Sequence, residues 1–259
     1  MIAERVLPLS GIHNFRDYGG YAVEGGGRVG SGVLWRSAHH QEATPDDLNT
    51  VDTLGIETVV DLRGDDERAL HPCKRSDNFS ARVLFAEGNT AGLAPHLQAA
   101  GGTIDNDTAR SRMIDVYAGM PYRPALVNTL RLYLAALAEY DAPSLVHCVA
   151  GKDRTGFAVA VVHRLLGVHE DDLMQDYLLT NTAGRIEERI AQGGNAIRAR
   201  YGAEIHDDAI RTLMSVNPIF LDAALATVRR DHGDVATYAE AVLNFTPEMH
   251  EALVDKLVV

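Results

Sequence analysis

The chain has 259 residues, 46% of them apolar and 23% charged, with 24 basic against 36 acidic side chains for a formal net charge of −12. That length suffices for one large α/β domain or two small ones with a real core, in the composition range of ordinary soluble globular proteins. The acidic balance excludes a general nucleic-acid or anionic-membrane surface, because the long-range field repels phosphate. An anionic substrate would have to be met by donors gathered within the roughly 10 Å over which charge is felt.

Taken in order, MIAERVLPLSG lacks the basic and apolar regions of a secretory leader. No apolar run approaches the roughly 18 residues of a membrane span. The expected location is therefore cytoplasmic, with no integral membrane segment and with export by a non-classical route left open. Glycines at 19, 20, 25, 26, 27, 30 and 32 mark turns before a first short strand at 33–36. His39-His40 reads as a loop. Thr44-Pro45 opens a helix through Leu48, Val51 and Leu54 to Gly55. Strands are expected at 57–62 and 82–85, and the small, polar, glycine-bearing run 89–109 is expected to be a mobile loop. RSRMIDVYAGM reads as helical, and a helix from about 123 to 139 places Leu126, Leu130, Leu134 and Leu137 on one face.

Residues 144–148 then form a buried strand, and 156–166 (GFAVAVVHRLL) a helix apolar nearly all round, stopped by Gly167. Beyond it an acidic stretch leads to a helix through IEERIAQ to about 192. Asn217-Pro218 and Thr246-Pro247 open two more, the former ending near Gly233. There is no repeat and no low-complexity linker. The expectation is a single domain over 1–259 of α/β class, with a central mostly parallel sheet flanked by helices. A C-terminal helical elaboration follows, in which 168–215 is a possible lid or insert.

The strand-turn-helix at SLVHCVAGKDRTG concentrates the chemistry. With Cys148 at a strand end and a helix starting at about Asp153 or Arg154, the amides of residues 149–154 can converge as an anion nest. The helix terminus, Lys152 and Arg154 add positive potential. Such surroundings favour a thiolate, and the same donors would hold a phosphate dianion above it. A bare buried cysteine is the bland alternative. A nucleotide-binding loop fails, because Val146 and Asp153 stand where that motif needs Gly and Ser/Thr.

HCVAGKDR at 147–154 matches the HCxxxxxR loop of the cysteine-dependent protein tyrosine phosphatase superfamily. HCxxGKDRTG resembles the bacterial family of the mycobacterial protein tyrosine phosphatase B type. NFRDYGG at 14–20, LWRSA at 34–38, TVVDLRGDDE at 58–67 and DYLLTN at 176–181 look like the same family, so the resemblance spans most of the chain. It implies a phosphatase-like fold and hydrolysis of phosphate monoesters through a cysteinyl-phosphate on Cys148, with Arg154 clamping two phosphate oxygens. His147 would orient the loop, Thr155 would give its hydroxyl to the thiolate, and Gly151 would permit the turn. Lys152 would add a point charge for substrate, beside the cradle residues Val149 and Ala150. It implies no metal or organic cofactor. The substrate would be a phosphorylated protein, chiefly phosphotyrosine, with phosphoserine/threonine or phosphoinositide as further options; oligomeric state stays open.

A leaving group also needs a proton. The resemblance points to Asp153, although a helix N-terminus with Lys152 and Arg154 would keep it ionised, and a cap-and-brace role is its alternative. Asp115, 33 residues before Cys148, is a second candidate that reads more simply as a solvated helix face. Asp61 and Arg63, at the end of a strand where α/β ligand sites gather, are candidates for substrate contact or for a structural ion pair. Arg16, Arg36 and Arg63 could add positive field, or be surface or turn-bracing arginines. Cys73 is either a redox partner for Cys148 or an unremarkable thiol. Rivals to hydrolysis are a phosphoryl-binding module without turnover, and sulfur or arsenate transfer on the same cysteine loop.

Overall fold

In the computed structural model, residues 5–88, 104–191, 198 and 205–259 are described. Five short strands form one sheet: β1 (Arg16–Asp17), β2 (Leu34–Ser37), β3 (Thr58–Asp61), β4 (Arg82–Leu84) and β5 (Ser144–His147). Their order is β1-β2-β5-β3-β4. Only β1 runs antiparallel, on β2; β2 pairs β5, β5 pairs β3 and β3 pairs β4 in parallel. The mostly parallel α/β architecture is thus as expected from the sequence, with β1 added from the NFRDYGG run. β5 lies in the middle, so its C-terminal end, where Cys148 follows, is flanked by the ends of β2 and β3.

Alternation of side chains along these strands builds two cores. Leu34, Val60 and Val146 point into the larger cluster, whereas Trp35, Val59 and Leu145 point into a smaller one with Leu9, Ile12 and Phe15. The smaller side is covered by α1 (Pro45–Asp52), whose Thr44 accepts from the Asp47 amide while Asp47 accepts back from Thr44. Asp47 also takes the amides of Ser10 and Gly11. After α2 (Asp65–Leu70), the larger side is built by α3 (Asn106–Ala118), α4 (Pro124–Glu139), α5 (Asp153–Leu165) and the later helices. Leu126, Leu130, Leu134 and Leu137 of α4 are buried as their spacing predicts. Twelve of the thirteen residues of α5 are buried, and Gly167 ends its run at φ +79°.

The remaining helices are α6 (Glu170–Leu178), α7 (Thr180–Ala183), α8 (Asp207–Met214), α9 (Pro218–His232), α10 (Val235–Leu243) and α11 (Pro247–Leu257). Residues 186–191 are helical as well. α9 and α11 begin at Asn217 and Thr246, whose side chains accept from the amides of Ile219 and Met249, and α9 ends at Gly233. The loop expected over 89–109 extends too far: Asp105 caps α3 by accepting from the Thr108 amide, so 106–109 are helical. The rest of that expectation, 89–103, lies outside the described residues. Among the described residues no single helix is long and apolar enough to cross a membrane.

Candidate active site

The loop between β5 and α5 carries Cys148 at the strand end, with its residue only 2% exposed. Gly151 sits at φ +63°, and a Cβ there would lie 2.3 Å from the Ser37 carbonyl oxygen, so the turn admits only glycine. The Gly151 carbonyl is held from behind by Asn14 Nδ2 at 2.7 Å and Arg36 Nη2 at 2.9 Å. With that carbonyl pulled outward, the amides of Val149 to Lys152 donate to no acceptor among the described residues. The N-terminus of α5 opens on the same spot, with no side-chain cap. Free amides and a helix terminus together make an anion cradle.

Arg36 is anchored in turn. Its Nη1 lies 2.6 Å from Asp176 Oδ2, and Arg16 Nε lies 3.1 Å from Asp176 Oδ1, all three side chains buried. Burial would raise the Asp176 pKa, but the two guanidinium groups hold it well below the usual carboxylate range. Burial and the neighbouring Arg36 push Arg16 down to about 10. Arg16 and Arg36 are therefore neither surface arginines nor free positive field. They are the posts of a buried Arg–Asp–Arg bridge that fixes the back of the loop.

Arg154, in the first turn of α5, is aimed by Glu67 of α2: Nη1 to Oε2 is 2.5 Å and Nη2 to Oε1 is 2.9 Å, with Leu62 accepting at 3.2 Å. Burial opposes its charge, yet the Glu67 bonds and the Cys148 sulfur hold its pKa above the ordinary arginine value. A planar fork gripped on one side presents a fixed orientation on the other.

Four further side chains in and beside the loop find their partners, or none. Lys152 is buried, donating to the carbonyls of Leu213 at 2.6 Å and Ser215 at 3.2 Å, with Asp153 at 3.4 Å. Its cation ties the loop to the end of α8 instead of facing substrate, because two carbonyl acceptors compensate its burial there. Asp61 and Arg63 form the ion pair that was their alternative: Arg63 Nε and Nη2 reach the two Asp61 oxygens at 2.8 and 2.7 Å. Thr155 Oγ1 is buried and hydrogen-bonds to none of the described residues, so its expected bond to the thiolate is not made here.

His147 is fully buried, its ring stacked on His40 at 5.7 Å, and burial lowers its pKa to about 4 despite Asp61 at 3.8 Å. Ala150 is buried and Val149 lines a cleft of about 310 Å³ with His13, His39, Arg189 and Met214. Arg189 was not singled out by its sequence. Burial lowers its pKa, with Asp153 acting against that shift, and it shares the cleft with Val149 of the loop.

Asp153 is buried and accepts a 2.7 Å hydrogen bond from the Tyr117 hydroxyl, which meets Tyr177 at 2.8 Å. Asp115 lies on an exposed position of α3, the solvated face its sequence suggested. Cys73 Sγ accepts from the His40 amide and Arg63 Nη2, each at 3.3 Å, and both cysteines are free thiols. Asp61, Cys73 and His147 bring ligand-type atoms within 4.8 Å of one another, but the Arg63 guanidinium already donates to two of them, supplying the cation that a metal would otherwise bring.

A model of the tyrosine phosphatase family matches residues 7–259. A protein of Cupriavidus necator, named provisionally as a tyrosine-protein phosphatase, is 34% identical over 243 residues, covering 92% of this chain and 84% of its own. The triple specificity protein phosphatase PtpB of Mycobacterium tuberculosis is 29% identical over 262 residues, covering 90% of this chain and 92% of its own. Among solved structures, the crystal structure of P. aeruginosa TpbA matches with 18% identity and a TM-score of 0.32, covering 75% of this chain and 96% of that one.

Proposed function

The chain belongs to the tyrosine phosphatase family and is a phosphoric monoester hydrolase, and on that premise we propose that Cys148 is its nucleophile and Asp153 its general acid. The observation that carries this reading is the loop itself: a buried cysteine at a strand end, four amides that meet no acceptor among the described residues, and an arginine locked by Glu67.

In the first step the Cys148 thiolate attacks phosphorus, an S–P bond forms, and the P–O bond to the leaving group breaks as Asp153 gives that oxygen its proton. In the second step water attacks phosphorus and returns a proton to Asp153. The S–P bond breaks, releasing inorganic phosphate and the thiolate. Arg154 and the loop amides hold the three non-bridging oxygens through both steps, where charge is spread in the transition state. Asp153 is favoured over its rivals because Asp61 is consumed by Arg63 and Asp115 faces solvent. An arriving phosphate dianion raises the affinity of Asp153 for the proton it must donate.

The substrates proposed are phosphotyrosine first, then phosphoserine/threonine and phosphoinositide; the relative named as a triple specificity phosphatase supports that breadth. The described residues of the later helices brace the loop in this reading, since Leu213 and Ser215 hold Lys152 and Arg189 lines the cleft with Val149. Turnover of p-nitrophenyl phosphate by wild type and Cys148→Ser tests the chemistry. The expected loss is at least about 10³-fold, with a phosphoenzyme trapped only in the wild type; equal rates would reject the nucleophile. A panel of phosphotyrosine and phosphothreonine peptides and phosphatidylinositol phosphates then orders the substrates.

A further inference from the structure

On the far side of the sheet from α5 lies a cavity of about 270 Å³ that plays no part in the phosphate site. Its walls are Leu48 and Val51 of α1, Ile56 and Phe79, and its floor is Val59 of β3 and Leu145 of β5. A dry apolar cavity of roughly 150 Å³ holds a benzene ring, so this one has room for a ring with a short chain.

One end of the cavity is polar and positive. The Arg75 guanidinium lies over the Phe79 ring at 4.7 Å, Nη1 reaches His40 Nδ1 and the Lys74 carbonyl, both at 3.5 Å, and the Cys73 side chain is a further neighbour. Asp61, a carboxylate whose charge acts on Arg75, has both oxygens bound by Arg63. Arg75 thus has no carboxylate partner among the described residues. The two acids on the cavity's lining, Asp52 and Glu57, are exposed, and Asp52 accepts from Ser76. A half-buried cation beside apolar walls is complementary to an amphipathic anion.

The same end touches the active site. His40 lines the cavity and stacks on His147, the residue before the nucleophile, with ring centroids 5.7 Å apart and planes at 26°. Its Nε2 meets Ser37 Oγ at 3.1 Å, and the Ser37 carbonyl is the atom against which Gly151 is packed. A ligand that draws Arg75 off His40 therefore acts one ring away from the phosphate loop.

We propose that this cavity is a second binding site, for a small arylalkyl or alkyl carboxylate whose head group pairs with Arg75, and that its occupancy changes turnover through His40. The probe is 4-phenylbutanoate, followed by calorimetry and methyl NMR on the full chain with orthovanadate saturating the phosphate loop. Binding is expected to persist under vanadate. It should weaken at least tenfold in Arg75→Met or when the uncharged 4-phenylbutanol replaces the acid, and vanish in Ala81→Phe, which fills the cavity. Saturating probe is expected to alter kcat for p-nitrophenyl phosphate without raising KM. Displacement by vanadate, indifference to both the Arg75→Met and alcohol substitutions, or absence of binding at millimolar probe would overturn the site. An unchanged kcat at saturation would overturn the coupling. The binding readouts need no turnover, so they stand apart from any failure of the proposed phosphatase mechanism.

Discussion

Two buried aspartates stand beside the nucleophile, and their neighbourhoods differ in a way that separates structure from chemistry. Asp61, at the end of β3, and Asp153, at the start of α5, are each 2% exposed. Asp61 is gripped by Arg63 through both oxygens and faces His147; burial would raise its pKa, but the His147 ring and the Arg63 guanidinium hold it far below the usual range. Asp153 accepts from a neutral phenol, Tyr117, and has the Lys152 ammonium at 3.4 Å, whose shorter hydrogen bonds go to two carbonyls. A carboxylate clamped by a guanidinium cannot cycle a proton at neutral pH. One held by a hydroxyl, with an ammonium whose closer bonds go elsewhere, can take up a proton when charge arrives. Equal burial does not mean equal use.

The largest expected effect tests that contrast directly. Asp153→Asn should lower kcat by about 10²- to 10⁴-fold and remove the basic limb of the pH–rate profile, whereas Asp115→Asn should leave the limb in place. A limb lost in Asp115→Asn and kept in Asp153→Asn would exchange their roles. Next, Asp61→Asn should keep the basic limb but cost about 3–5 kcal/mol of stability, since it strands the buried Arg63 charge; urea unfolding measures it, and a loss below about 1 kcal/mol would mean that Arg63 finds another partner.

A smaller effect concerns pH. His147 has a folded pKa of about 4, below the ~6.5 of an unfolded histidine. The unfolded chain therefore binds more protons between these values. The stability contributed by neutral His147 is complete above about pH 6.5 and is lost as pH falls toward 4, amounting to about 3 kcal/mol. His39 and His40, also held low chiefly by burial, act in the same direction. Urea midpoints at pH 7 and 4.5 should diverge in the wild type and converge partly in His147→Asn; parallel curves would contradict the assignment. The smallest effect is expected from Tyr117→Phe, which removes one hydrogen bond to Asp153 without touching substrate. It should move the basic limb by less than about one unit, with kcat kept within roughly tenfold. A collapse of activity equal to that of Asp153→Asn would give Tyr117 a more direct part.

Much of the fold was legible because local signals are strong where the chain must turn. Thr44-Pro45, Asn217-Pro218 and Gly167 marked helix ends through capping chemistry that acts within a few residues. Asp105 carried the same signal but lay inside a glycine-rich run, so the start of α3 was hidden by its surroundings. β1 has only two residues, and no period can be read from two. The partners of the site were less visible. Glu67 and Arg154 are 87 residues apart, Asp176 and Arg36 140, and Tyr117 and Asp153 36. The motifs TVVDLRGDDE, LWRSA and DYLLTN held Glu67, Arg36 and Asp176, yet only as members of a resemblance.

By itself the sequence determined the loop: cysteine, glycine, aspartate and arginine at fixed offsets between an apolar strand and an apolar helix, because backbone geometry over eight residues is a local matter. Tertiary structure decided what each charge in and around it does. Lys152 turned from substrate to the end of α8, Asp61 and Arg63 closed on each other, and Arg16 and Arg36 became buried struts. The physical reason is that a charge out of water must find whatever partner the fold brings within hydrogen-bond reach, and offsets along the chain do not specify that distance.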